Sequence, residues 1–271
     1  MKSQKLDDKR LQISKLDEFI KKKFDLPITI AHPQFITLCF ACRGSGKTTL
    51  FINLWMNFYR KIFGNLYIIS PTMQNDDKMK RIQSDNMNVF NNFDDDIDTV
   101  MDMIKEKNEL YRKAKGDLMR IIDIIESGET IYDPQGLSQE LDLCVHILKD
   151  GEPYHLLYID DSIGSKRLAS GRKADEFNNF ITTHRWHNTS IFVCSQEYKG
   201  VNVALRGNAS QILLFKNKDS EIKKVCDEVG RGFDELYYEH ISDASKPYEF
   251  VAINFDTSTM SYMLDTVVSK Q

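Results

Sequence analysis

The sequence predicts an α/β fold, a parallel-rich sheet with helices on both faces. Short apolar runs of strand length alternate with stretches whose apolar residues recur at helical spacing. A glycine-rich segment, ACRGSGKTT over 41–49, stands between the first such run and the first helical stretch. The chain has 271 residues, 41% of them apolar and 28% charged, which suits one generous domain with a real core and an insertion.

Residues 1–30 read as an amphipathic helical arm. Ile13, Leu16, Phe19, Ile20 and Phe24 recur at helical spacing over about 6–24, and Pro27 ends the pattern. The lysines at 21–23 read as a solvated face. In the remaining domain, 31–271, a strand over 35–41 leads into the glycine-rich turn. A helix over 48–62 follows, then a strand over 66–70 that Pro71 stops. Residues 75–140 read as a largely helical insertion with a long amphipathic stretch over about 97–125. Its acidic run, Asp94, Asp95, Asp96 and Asp98, lacks the alternating spacing and turn glycine of a calcium loop and reads as a helix N-terminus or solvated loop. Strands resume over 155–159, 190–195 and 211–215. The tail adds one over 248–255, with a hairpin through 260–263.

Composition narrows the function classes. No apolar run approaches the length of a membrane span. The charged N-terminus lacks the apolar stretch of a secretory signal, so a cytosolic setting is expected. The five cysteines are scattered and odd in number, and they read as buried free thiols rather than a zinc site or a disulfide framework. The net charge of −4 does not advertise nucleic-acid binding, although a locally basic surface would suffice for it.

The segment over 41–49 matches the phosphate-loop pattern G-x-x-x-x-G-K-[ST] except that Ala41 stands for the first glycine. Gly44 and Gly46 permit backbone angles that turn consecutive amides inward around phosphates, with Arg43, Ser45 and Thr49 completing the ring. The following helix aims its positive end at the same place. Lys47 would neutralise the β- and γ-phosphates of ATP, and Thr48 would ligate Mg2+. The run His155-Leu156-Leu157-Tyr158-Ile159 ends in Asp160-Asp161. Asp160 suits the magnesium and Asp161 the polarisation of the attacking water.

The strand over 190–195 ends in Gln196, placed to touch the γ-phosphate or the water. Arg206, before the next strand, is a candidate for reaching the γ-phosphate of a neighbouring subunit, with Arg185 as the competing candidate. Between the acidic strand and the strand over 190–195, Lys166, Arg167, Arg172 and Lys173 lie in a stretch with Gly164, Ser165, Ser170 and Gly171. That stretch reads either as a DNA-phosphate contact or as a solvated loop.

Four blocks in order, ACRGSGKTT, LLYIDDS, THRWHNTSIFVCSQ and ALRGNASQILLF, resemble the genome-packaging ATPases of poxviruses and other large DNA viruses, within the FtsK–HerA superfamily. The likeness covers roughly 35–216, interrupted by the insertion, and the third block is its most specific part. Ala41 and the aspartate at 161 depart mildly from the pattern. The resemblance implies a RecA-like core with strand order 5-1-4-3-2. It implies a homo-oligomeric ring, a pentamer or hexamer, that hydrolyses ATP and drives double-stranded DNA into a capsid. It further implies a capsid or vertex protein as partner, and a location at the viral assembly site in the host cytoplasm or on the virion. The acidic balance and the helical insertion suit a different class, a P-loop switch or clamp on a protein partner. A small-molecule kinase is disfavoured, because Gln196 suits water activation and no acceptor site is visible.

Overall fold

The computed structural model describes residues 24–72, 82, 86–127, 133–160, 164–169, 176–230, 232–241 and 248–268. The expected N-terminal helix, apart from Phe24, lies outside them.

Strands β1 (Ile36–Phe40), β2 (Asn65–Ile69), β4 (His155–Ile159), β5 (Thr189–Ser195) and β6 (Gln211–Phe215) are buried at every position. This is what a parallel sheet covered on both faces requires. They pair in parallel in the order β6-β1-β5-β4-β2. Numbered by their place among the five expected core strands, that order is 5-1-4-3-2, as the resemblance implies. Two additions widen the sheet to nine strands among the described residues. One is β3 (Met87–Phe90), parallel at the β2 edge. The other is an antiparallel extension beyond β6, made of β7 (Phe250–Asn254), β8 (Thr259–Tyr262) and β9 (Thr266–Val268).

Strand alternation divides the core in two. Ile36, Leu38 and Phe40 of β1 join the face covered by α2 (Phe93–Ser127), α5 (Glu176–Thr183), α6 (Val203–Gly207), α7 (Asp219–Val229) and α8 (Phe233–His240). Cys39 and Ala41 face the other side, where α1 (Lys47–Asn57) buries Phe51, Ile52, Leu54 and Trp55. Tyr158 belongs to this second face and stacks on Phe51 with ring centroids 3.7 Å apart. That contact fixes α1 against β4.

The stretch read as an insertion is not uniform. Its first helical turns are core: Phe93, Ile97, Val100, Met101 and Ile104 of α2 pack on the sheet. Only the distal half of α2 departs, pairing with α3 (Pro134–Leu148) around Ala114, Ile121 and Cys144 and through the Arg120–Glu140 ion pair. The strand β3 also lies in this stretch and interrupts its helical character. No helix among the described residues is long and apolar enough to cross a membrane.

Candidate nucleotide-binding site

The site forms at the C-terminal ends of the parallel strands, where β1 gives way to the loop over 41–46 and then to α1. Gly44 and Gly46 have φ of +77° and +96°, in the left-handed region that favours glycine. Ala41 has no such need. Its amide donates to the Ser195 carbonyl at 3.1 Å and its backbone stays outside the positive-φ region, so a Cβ is tolerated where the motif has glycine. The loop is braced by the Ser45 hydroxyl, which donates to the Cys42 carbonyl at 2.7 Å. The Lys47 ammonium is held at its mouth, donating to the carbonyls of Ala41 and Cys42 at 3.1 Å each. No acidic side chain occupies the first turn of α1, so the positive helix end is left for an anion.

Parallel pairing brings the acidic strand to this loop. Asp160, 5% exposed, follows β4, and its amide donates to the Ile69 carbonyl at 3.0 Å. Its Oδ2 accepts from Thr48 Oγ1 at 3.2 Å and from the Tyr158 hydroxyl at 3.0 Å. Magnesium takes hard oxygen ligands. A hydroxyl and a carboxylate already in contact at the helix start are a donor set that fits it. β5 lies between β1 and β4, so Gln196 at its tip stands between the loop and the acidic strand, with its carbonyl held by Asn217 Nδ2 at 3.2 Å. Arg43, Gly44, Ser45, Gly46, Lys47, Thr48, Thr49, Asp160 and Gln196 line a single cavity of about 700 Å³.

Three solved structures can be laid over this fold. B204, the genome-packaging NTPase of Sulfolobus turreted icosahedral virus 2, superposes in its AMP complex with a TM-score of 0.52. The match spans 86% of this chain and 98% of B204 at 14% identity. Its AMPPCP complex gives 0.51 over 85% and 97% at 14% identity. B204, the DNA-packaging ATPase of Sulfolobus turreted icosahedral virus, gives 0.51 over 85% and 97% at 13% identity. The fold is shared with genome-packaging NTPases. That is the class the four sequence blocks resemble. No protein-family model and no curated protein matches the sequence.

Asp161, Arg172 and Lys173 lie outside the described residues. Lys166 is exposed, but Arg167 is engaged within the chain, its guanidinium donating to both Asp98 oxygens at 2.8 Å. Asp94 accepts from the Ser165 hydroxyl at 2.6 Å and from the amides of Lys166 and Arg167 at 3.2 Å, and so caps α4 (Lys166–Ala169). Burial alone would raise the Asp94 carboxyl. Ser165, the two amides and the Arg167 charge together hold it below the ordinary carboxylate range. Two members of the acidic run therefore anchor the segment after the acidic strand.

Arg206 is also committed. It donates to the Val201 carbonyl at 3.1 Å, pairs with Glu228 and lies 4.6 Å from the Tyr198 ring centre, with its side chain 14% exposed. To meet a neighbouring subunit it would have to leave all three. Arg185 is exposed, in the turn before β5 and so at the far end of the sheet from the phosphate loop.

Two residues were missed. Tyr158 was legible as a hydroxyl-bearing residue two positions before Asp160, hence on the same strand face. Tyr248 was not, since nothing local marks it as a neighbour of Gly46. Cys39 and Cys42 stand at Cys-x-x-Cys spacing. Both are free thiols, Cys39 in the core and Cys42 donating to Asn217 Oδ1 at 3.1 Å.

Proposed function

We propose that this chain is an ATPase that uses hydrolysis to drive double-stranded DNA, in the packaging of a viral genome. The observation that carries the reading is the contact of Thr48 with Asp160 at 3.2 Å beside the Lys47 loop, with Gln196 lining the same cavity. The fold shared with the B204 packaging ATPases supports it.

In this reading the loop amides and Lys47 hold the triphosphate, while Thr48 and Asp160 hold Mg2+. When bound, that ion neutralises charge on the β- and γ-phosphate oxygens. Asp161 orients a water whose oxygen attacks the γ-phosphorus as its proton passes to the Asp161 carboxylate. The bond from that phosphorus to the β,γ-bridging oxygen breaks, and ADP leaves with the bridging oxygen. Gln196 contacts the γ-phosphate or the water. A neighbouring subunit supplies an arginine, and the exposure of Arg185 favours it over the engaged Arg206.

The test is ATP turnover with and without duplex DNA, with native mass spectrometry of the same sample. Stimulation by DNA and a ring of five or six chains are expected. Equal rates from a protein that stays monomeric overturn the motor reading. One observation favours the second reading, a nucleotide-driven clamp on a protein partner: Arg167 of the basic segment is already paired with Asp98. Replacing Lys166, Arg167, Arg172 and Lys173 together by alanine separates the two. The motor reading requires DNA binding to weaken, and the clamp reading requires it to stay unchanged.

A further inference from the structure

The cavity at the phosphate loop has a lining of two kinds. One part is Lys47, Thr48, Asp160, Gln196 and the loop amides, groups suited to an anion. The other part is Phe215, Tyr248, Phe250 and Met263, contributed by β6 and by β7 and the residues that flank the β7–β8 hairpin. About 700 Å³ is the size of a small-molecule site, and a triphosphate alone has no use for an apolar wall.

The antiparallel extension builds that wall. Phe215 pairs with Phe250 across β6 and β7, and the two rings stack with centroids 4.7 Å apart, both buried. They form the floor. Tyr248 precedes Phe250 by two residues and crosses directly over the phosphate loop. A Cβ added to Gly46 would lie 3.4 Å from the Tyr248 Cβ. Tyr248 is nonetheless 52% exposed and lines the cavity. Met263 follows β8 and is held opposite Phe250 by its amide, which donates to the Phe250 carbonyl at 2.8 Å. Its φ of +52° turns the chain out of the hairpin at this point, and Ser261 braces the turn through a 2.8 Å bond to the Met263 carbonyl. The wall thus sets a half-exposed tyrosine and a thioether beside two stacked, buried phenyl rings.

We propose that Tyr248 and Met263 form the nucleobase subsite, holding the purine ring of the bound nucleotide by stacking above the Phe215–Phe250 floor. The proposal rests on the reading of the loop over 41–49 as a triphosphate site. Every base has a π-face, so an aromatic platform binds it through area and polarisability. A polarizable thioether packs well against an aromatic ring. The subsite also gives the extension a role, because Tyr248, Phe250 and Met263 all lie outside the five-stranded core.

The experiment compares calorimetric binding of Mg·ATP and of Mg·tripolyphosphate, which has the charge without the base. Wild type, Tyr248→Ala, Tyr248→Trp and Met263→Ala are measured side by side. Tyr248→Ala weakens ATP about ten-fold and leaves tripolyphosphate unchanged, which also shows that the phosphate loop is folded. Tyr248→Trp retains ATP affinity, and Met263→Ala loses several-fold for ATP alone. If Tyr248→Ala binds ATP as wild type does, or loses both ligands equally, the subsite is overturned while the phosphate site stands. A wild-type chain that binds neither ligand overturns the phosphate-site reading and this proposal with it.

Discussion

The Tyr158 hydroxyl donates to Asp160 Oδ2 at 3.0 Å, the same oxygen that Thr48 reaches from the start of α1. The two residues are alternate positions at the end of β4 and so share the α1 face of the sheet. Burial first, and then the neighbouring Cys194 and Asp160, push the Tyr158 phenol well above its ordinary range. It therefore stays protonated and can only act as a donor toward the carboxylate. The phenol holds one carboxylate oxygen in place from the protein side.

Tyr158→Phe keeps the ring that stacks on Phe51 and removes the donor alone. A hydrogen bond to a charged group contributes about 1.5–3 kcal/mol, so we expect turnover at limiting Mg2+ to fall about ten-fold or more. Saturating Mg2+ should recover part of the loss, which marks positioning rather than chemistry. A magnesium titration of the ATPase rate checks this, and an unchanged curve refutes it.

Lys47→Ala removes the ammonium from the mouth of the loop and should abolish measurable ATP binding. Asp161→Asn should bind ATP normally and turn over at least about a hundred-fold more slowly, within the range for lost general-base assistance. Equilibrium binding with single-turnover kinetics separates the two. Tight ATP binding by the lysine variant would contradict the loop assignment.

The Arg167–Asp98 pair is bidentate but only partly shielded, the aspartate side chain being 53% exposed. Screening limits such a pair to about 0.2–1 kcal/mol. A double-mutant cycle with Arg167→Ala and Asp98→Ala, read by denaturant unfolding, should return a coupling in that range that shrinks in high salt. No coupling would mean that the contact does not hold the segment after the acidic strand.

His155 is fully buried, with Nε2 3.2 Å from Asn108 Nδ2, beneath α2. Burial, then the charge of Lys107, then His187, depress its imidazole from 6.5 to about 3. The folded state therefore binds this proton later than the unfolded chain does. Stability from the neutral ring is complete above the ordinary value and is lost as pH falls from about 6.5 toward about 3, amounting to about 3 kcal/mol by pH ~4. His155→Phe should flatten the fall in unfolding free energy over that window, by chemical denaturation at several pH values. An unaltered slope would assign the acid sensitivity to other groups.

Much of this molecule was legible because its constraints are local. A loop that must turn amides inward needs glycine at particular positions, and Gly44 and Gly46 declare it in the chain. Strands buried on both faces need unbroken apolar runs, so the bounds of β4 and β6 coincide with the runs over 155–159 and 211–215. β3 escaped notice for the converse reason. It is four half-buried residues at a sheet edge, and so few positions with one neighbouring strand leave no pattern to read.

The chemistry present is written in the chain: an ammonium and a hydroxyl after a glycine turn, paired acids after one strand, and a glutamine after another. Which of these groups meet is set by folding. Pairing of β5 between β1 and β4 brings residues more than a hundred positions apart into one cavity, and packing on α1 selects Tyr158 as the partner of Asp160. Packing also turns Arg167 and Arg206 toward Asp98 and Glu228, and lays Tyr248 over Gly46. Side-chain type is written in the chain. Proximity between distant residues arises only when the whole sheet closes, because each contact depends on the register and burial of every strand beneath it.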